Sequence, residues 1–273
     1  NGARAAAAAG EGRLPWDVMD AVLLLVALPV AVVSAIRGVW SPCGLSMLSS
    51  ITPMTEAGRG NRFGVTAGWF LAGGLVGGLS LGLVAAGGAA LVGLADPSTT
   101  LLVGTGAVAA LATAAIDFGL AGIDLPIFKR QVDDAWLRRY RSWAYGAGFG
   151  WQIGFGVATY IMTAGIFLLI ALAVLTASPL QALAVGATFG LVRGAAVFIG
   201  RNATTPAALG RVHERLDAVG PLARDAAAWV QVLAAAVLAA VAWTPLVVPV
   251  LAVAALVAAR AGRTVRPTAV RSA

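Results

Sequence analysis

The amino-acid sequence predicts an all-α polytopic membrane protein with six to seven transmembrane helices. Of its 273 residues, 59% are hydrophobic and only 11% are charged, and the mean hydropathy is +0.87. Soluble domains carry about 25% charged residues and cannot bury this much apolar surface. The long apolar runs mostly reach the roughly 20 residues that a helix needs to cross a bilayer. Because they lack the strict alternation of barrel strands, helices are the predicted crossing elements.

Six apolar runs lie at 19–36, 64–94, 99–122, 148–175, 179–200 and 226–259. Lys and Arg concentrate at 37–62, 123–147, 201–225 and after residue 259, whereas the connections 95–98 and 176–178 contain neither. The positive-inside rule places such charged loops in the cytoplasm, with the N-terminus outside a cell (inner or plasma) membrane. A cytoplasmic basic tail then requires the last run to cross twice, with a turn near Thr244-Pro245, which gives seven spans. Six spans is the alternative.

The expected organisation is one membrane domain, 17–260, between a polar lead, 1–16, and a basic tail, 261–273. A glycine motif occurs twice, at 74–78 and 190–194, and predicts two related halves of about 19–122 and 148–243, joined by the basic loop 123–147 and followed by an extra C-terminal helix. Three helices per half would make the halves insert in opposite orientations, as in many carriers. The net charge of +7 follows from the loop pattern, so no nucleic-acid partner is predicted.

A helix break is predicted directly after the first run, at Ser41-Pro42-Cys43. Proline lacks a backbone donor and disfavours helix in the preceding residue, so the helix should end near Ser41 and restart after Pro42. An interrupted helix at membrane depth must be sheltered by protein or line a wet cavity. We therefore expect a functional cleft between this break and the fourth helix around Thr159.

The Ser41-Pro42-Cys43 segment resembles the thiol-reductant carriers of the CcdA and DsbD membrane-domain family, of cytochrome c biogenesis type. The resemblance implies two inverted three-helix halves that pass electrons from cytoplasmic thioredoxin to extracytoplasmic thiol proteins. It implies Cys43 as the catalytic thiol and Thr159 in place of the family's second cysteine. A dithiol relay needs two sulfurs, so the resemblance concerns fold more than chemistry. The alternative reading of Cys43 is a small buried packing residue.

The third and fifth apolar runs each contain one charged residue: Asp117 near the end of the third and Arg193 in the middle of the fifth. A charge at membrane depth is costly unless it is paired or solvated, so each marks a candidate site. The two could pair with each other, Arg193 could attract an anionic substrate from a water-lined path, or the charges could reach the membrane interface. The neutral residues expected to line the site are Pro42, Gln152, Thr159 and Tyr160.

Cofactors and metals are not expected, because one cysteine and one histidine cannot form a metal cluster of the usual kind. A copper site is a weak alternative. Cys43 and Met47 lie four residues apart, on the same helical face, and soft sulfur ligands suit Cu(I).

Aromatic and basic residues interleave in the loop between the halves, where they predict a short amphipathic helix on the membrane surface. Such a helix would face lipid headgroups or a protein partner. The residues expected on this face are Trp136, Arg138, Arg139, Tyr140, Arg141 and Trp143.

The expected function is that of a carrier-like membrane protein that moves reducing equivalents or a small solute. The alternative is a non-transporting accessory subunit of a larger membrane complex. Expected partners are the bilayer and either thioredoxin-like proteins or other membrane subunits. No phosphate-binding loop, carboxylate pair or serine–histidine arrangement favours an enzyme, and any activity would be thiol–disulfide exchange at Cys43.

Overall fold

In a computed structural model, residues 16–120, 122 and 135–242 are described, with side chains from residue 21 onward. These ranges are helical and contain no strand. The α-helices are α1 (Trp16–Arg37), α2 (Pro42–Ser50), α3 (Pro53–Gly58), α4 (Phe63–Ala95), α5 (Thr99–Asp117), α6 (Trp136–Arg139), α7 (Ser142–Phe155), α8 (Gly165–Leu175), α9 (Pro179–Ala195) and α10 (Pro206–Ala242). Short 3-10 helices follow α1 and α9, at Gly38–Trp40 and Ala196–Asn202.

Five helical segments of the described chain are long and apolar enough to cross a membrane. They are Ala21–Trp40, Phe63–Ala95, Thr99–Asp117, Pro179–Asn202 and Pro206–Ala242. Helices α7 and α8 have 14 and 11 residues, so each is shorter than the roughly 30 Å apolar layer at about 1.5 Å per residue. The prediction of an all-helical, multi-pass protein is confirmed at this level. The six-or-seven count stays a prediction, because the turn near Thr244-Pro245 lies outside the described residues.

One apolar run and one charged segment differ from their predicted form. The run 148–175 is not one helix, because α7 ends at Phe155 and α8 begins only at Gly165. The charged stretch 201–225, predicted as a loop, is helical from Pro206 onward and forms the first half of α10. Most of its ionisable side chains are exposed, so helix formation there does not require charge burial.

Glycines bring α4 and α9 into backbone contact. A methyl group at Gly74 would lie 2.9 Å from the carbonyl oxygen of Gly190, and one at Gly78 would lie 2.2 Å from that of Gly186. The pairing of a later residue on α4 with an earlier one on α9 shows that the two helices run antiparallel. Any larger side chain at these positions would force the backbones apart, so glycine is required by close approach.

Helix α4 also packs against α7, again through glycines. A methyl group at Gly150 would lie 2.1 Å from the carbonyl oxygen of Phe70, and one at Gly154 would lie 2.1 Å from that of Gly74. Both numbers rise together along the two helices, so α4 and α7 run parallel. Helix α8 lies in the centre, where it contacts α1, α4 and α5 and buries Leu168, Leu169 and Leu172 completely or nearly so.

Candidate functional site

The predicted break after α1 is present, and ordinary helix-capping chemistry explains it. The Ser41 hydroxyl accepts a hydrogen bond from the backbone N–H of Gly44 at 3.1 Å and donates one to the carbonyl of Gly38 at 2.7 Å. Pro42 takes the first position of α2, where its missing N–H costs nothing. Cys43 and Met47 are both buried on this helix. The copper alternative stays a prediction.

A second break separates α7 from α8 and was not predicted. Gly156 has a φ of +76°, which glycine adopts without strain, and regular helix resumes only at Gly165. The buried Thr159 hydroxyl donates a long, 3.3 Å hydrogen bond to the carbonyl of Gly156. Of the other expected lining residues, Gln152 and Tyr160 are half-buried and Pro42 is exposed.

Asp117, the last residue of α5, is held by groups from the second break and from α10. Its carboxylate accepts hydrogen bonds from the Thr163 hydroxyl, from the Ala164 backbone N–H at 2.7 Å and from Gln231 Nε2 at 2.5 Å. Ala164 immediately precedes α8, so the carboxylate caps that helix at its positive end. Asp117 therefore joins α5, α8 and α10.

The surroundings of Asp117 also contain positive charge. Arg37, at the end of α1, interacts electrostatically with Asp117 and with Arg224 of α10. Gln231 is 1% exposed; its Nε2 serves Asp117 and the Ala227 carbonyl, while its Oε1 has no hydrogen-bond partner. The carboxylate is thus compensated by both hydrogen bonds and a nearby cation.

Arg193 lies apart from Asp117 and has much poorer compensation. The side chain is 2% exposed, Nε donates to the carbonyl of Ile153 at 3.4 Å, and Nη2 has no partner. The guanidinium fills the space beside Gly38, because a methyl group there would lie 1.7 Å from Nη1. Cys43 is within electrostatic range. The structure therefore brings Arg193 to the first break and does not pair it with Asp117.

A third buried polar group, Glu56 of α3, was not singled out in the sequence. Its carboxylate accepts hydrogen bonds from Thr66 at 2.6 Å, Tyr145 at 2.6 Å and Arg59 at 2.7 Å. Burial and then the hydrogen bond to Glu56 raise the pKa of Tyr145 to about 12, so its hydroxyl remains a donor at neutral pH. Asn61 completes the group by donating to that hydroxyl. This network joins α3, α4 and α7.

The expected surface residues occupy α6, the two residues that follow it and the start of α7. Tyr140 and Trp143 are about half exposed, at 53% and 52%, and the three arginines at 138, 139 and 141 are exposed. Trp136 is half-buried because its ring stacks on Phe149 at 6.0 Å. The helix has only four residues, and the remainder of the predicted amphipathic segment, 123–134, lies outside the described residues.

The functional candidates missed in the sequence are Glu56, Thr163 and Gln231. Gln231 is the single polar residue in the apolar stretch 226–242, and an isolated amide at membrane depth is a usable signal. Glu56 had no such signal, since it stands in a charged segment that resembles a solvated loop. Only the fold shows that Thr66 and Tyr145 enclose it.

Comparisons with known proteins identify relatives of one name. The chain is 31% identical to methylamine utilization protein MauF of Paracoccus denitrificans over 70% of this chain and 66% of that protein. It is 30% identical to MauF of Methylophilus methylotrophus over 67% and 65%, and 29% identical to MauF of Methylobacillus flagellatus over 77% of each. The chain spans just under two thirds of the first two. No family model matches, and no solved structure matches significantly.

The resemblance to the CcdA and DsbD family is therefore wrong, because the relatives belong under a different name. Its one specific segment, Ser41-Pro42-Cys43, is a helix start whose serine and proline serve capping. Thr159 as a replaced second cysteine and the expectation of a thioredoxin-like partner lose their basis with it. Over about two thirds of its length, this chain is similar to proteins named methylamine utilization protein MauF.

Proposed function

We propose that this chain is an accessory membrane protein of a methylamine utilization system. The observation that carries the proposal is about 30% identity to proteins named for methylamine utilization over 70% of the chain. The five membrane-length helices agree with a role within or beside a membrane assembly. The exposed aromatic and basic residues of α6 and early α7 offer a surface for lipid headgroups or a protein partner.

Genetic complementation tests this role directly. A Paracoccus denitrificans strain without its MauF protein should first be shown to grow poorly on methylamine and normally on succinate. Expression of this chain with an epitope tag should restore growth on methylamine. Normal abundance in the membrane without restored growth would contradict the proposal.

A matched pair of variants connects the phenotype to the buried site. Arg193→Gln removes the buried charge, whereas Arg211→Gln removes an exposed arginine of α10. We expect Arg193→Gln to abolish complementation and Arg211→Gln to retain it, at equal membrane abundance. Equal growth of both variants on methylamine would show that the accessory role does not require the Arg193 charge.

An accessory role also requires protein partners. Purification of the tagged chain in mild detergent from cells grown on methylamine should yield defined additional subunits at constant stoichiometry. A partner-free monomer under these conditions would count against membership in an assembly. Replacing the exposed Trp143 and Tyr140 by alanine should weaken that recovery if α6 and α7 form the contact.

The proposal includes two inverted halves of about 19–122 and 148–243 within one membrane domain. Helices α4 and α9 begin at Phe63 and Pro179, at the same offset as the two glycine motifs. Contacts between α4 and α7 have a counterpart between α9 and α1, and α4 crosses α9 antiparallel. Exchanging the halves reproduces these pairings, which supports the repeat.

The proposed orientation has the N-terminus outside the cell membrane and the basic segments in the cytoplasm. Cysteine labelling in a Cys43→Ser background tests it. Thr100 and Thr204 both have exposed side chains. Impermeant maleimide should label Thr100→Cys in intact spheroplasts, and it should label Thr204→Cys only after lysis. The reverse pattern would invert the topology.

A carrier for a small solute is the second candidate function. The observation that favours it is the interruption of two helical runs, at Ser41 and at residues 156–164, with the buried Arg193 against Gly38 at the first of them. Reconstituted vesicles should show solute-dependent flux with the wild-type protein and none with Arg193→Gln. If wild-type vesicles show no flux, the carrier role is contradicted and the accessory role remains.

A further inference from the structure

The Arg193 guanidinium is enclosed by protein yet has few hydrogen-bond acceptors. Its side chain is 2% exposed and comes from the last turn of α9. Among its contacts are the carbonyl of Ile153, at 3.4 Å from Nε, and the backbone of Gly38. A guanidinium has five N–H donors, so one long hydrogen bond leaves most of its capacity unused. The buried Nη2 has no partner.

The position of Gly38 makes room for this group. A methyl group at residue 38 would lie 1.7 Å from Nη1 and 2.4 Å from Cζ, distances at which no side chain can exist beside the guanidinium. Gly38 begins the 3-10 turn that precedes the first break. The interrupted backbone and the absence of a side chain thus together accommodate the charge between α1 and α9.

Burial of this charge needs a compensating negative charge. An ionised group removed from water carries an effective penalty of several kcal/mol unless it is paired. Within the described residues no carboxylate forms an ion pair with Arg193, because Asp117 and Glu56 are engaged elsewhere. Cys43 is also within electrostatic range of the guanidinium.

We infer that Arg193 binds a small anion at the first helix break, with the unpartnered Nη2 as a donor to it. The ligand class is a compact monovalent anion, such as a halide or a small carboxylate, because the surrounding residues are buried and a guanidinium recognises carboxylates well. This inference does not depend on the role in methylamine utilization.

Thermal unfolding of the purified full chain in detergent or nanodiscs tests the inference. Chloride, bromide, nitrate, formate or acetate should replace gluconate at constant ionic strength, so that screening of surface charges does not change. We expect at least one of these anions to raise Tm saturably by about 3–8 °C. The exposed-arginine control, Arg211→Gln, should show the same shift.

Two variants locate the site. Arg193→Met, which keeps a similar length without charge, should lose the anion-dependent shift. Gly38→Ala should weaken the apparent affinity at least tenfold, because its methyl group displaces the guanidinium. If Arg193→Met does not fold, the Gly38→Ala variant alone tests the location of the site. Cys43→Ser should retain the shift.

The inference is overturned by either of two results. A wild-type Tm that is independent of all five anions would mean that the charge is compensated within the protein. A shift that persists in folded Arg193→Met would place the anion elsewhere. Both results are obtained with purified protein, so they are distinct from a failed growth complementation.

Discussion

Asp117 and Arg193 are both charged side chains at the ends of long apolar helices, but the protein treats them differently. Three donors from two elements converge on the Asp117 carboxylate, and Arg37 lies near it. One distant carbonyl faces Arg193, whose Nη2 remains unpartnered in the interior. The first pattern belongs to a group that holds helices together. The second leaves a buried charge that we propose is compensated by a bound anion.

The largest expected effect concerns Asp117. Asp117→Ala leaves Gln231, Thr163 and the Ala164 N–H without their shared acceptor, so the free energy of unfolding should fall by about 2–4 kcal/mol. Titration of purified protein with SDS, followed by tryptophan fluorescence, measures the change. Asp217→Ala, at an exposed position of α10, is the control and should change stability by less than about 0.5 kcal/mol. Similar losses in both variants would mean that the buried network contributes nothing.

The membrane class and most of the helices followed from the sequence for simple physical reasons. Long apolar runs specify helices in lipid, and Pro42 correctly predicted the break at Ser41 because proline acts locally on the backbone. The second break had no such signal. It depends on Gly156 in a positive-φ conformation and on Asp117, which lies about forty residues earlier and caps α8 from another helix.

The candidate sites were less predictable than the helices. Opposite charges on Asp117 and Arg193 permitted a pair, but their positions in the fold give each different neighbours. Partners such as Thr163 and Gln231 become visible only when α8 and α10 pack on α5. The resemblance to thiol carriers failed for a related reason, since a serine–proline helix start is a local solution that unrelated chains share.

A smaller effect compares two buried threonines of the second break. Thr163→Val removes a donor to Asp117 and should lower the free energy of unfolding by about 1–2 kcal/mol. Thr159→Val removes only a 3.3 Å hydrogen bond to a carbonyl in the same turn and should lower it by less than about 0.5 kcal/mol. The same SDS titration measures both. Equal losses would show that burial of the threonine, and not the carboxylate, determines the stability of the break.

The smallest expected change, and the one of opposite sign, concerns Arg193. In gluconate buffer without a small anion, Arg193→Met should leave the free energy of unfolding unchanged or raise it by about 1 kcal/mol, because methionine removes an uncompensated charge and keeps the packing volume. Arg37→Met is the matched comparison. It should change stability by less than about 0.5 kcal/mol, since the lost attraction to Asp117 is offset by relief of burial and of repulsion from Arg224.

A loss for Arg193→Met as large as that for Asp117→Ala would remove the distinction between the two charges. Arg193 would then be a structural residue whose partners form within the protein. The opposite result has two parts: in gluconate, Arg193→Met is as stable as wild type or more stable, and in the stabilising anion it is less stable than wild type. This result would show that the bound anion supplies the extra stability of wild type. The sign of the change in free energy of unfolding caused by Arg193→Met in gluconate therefore distinguishes a charge that stabilises the fold from a charge that serves to bind an anion.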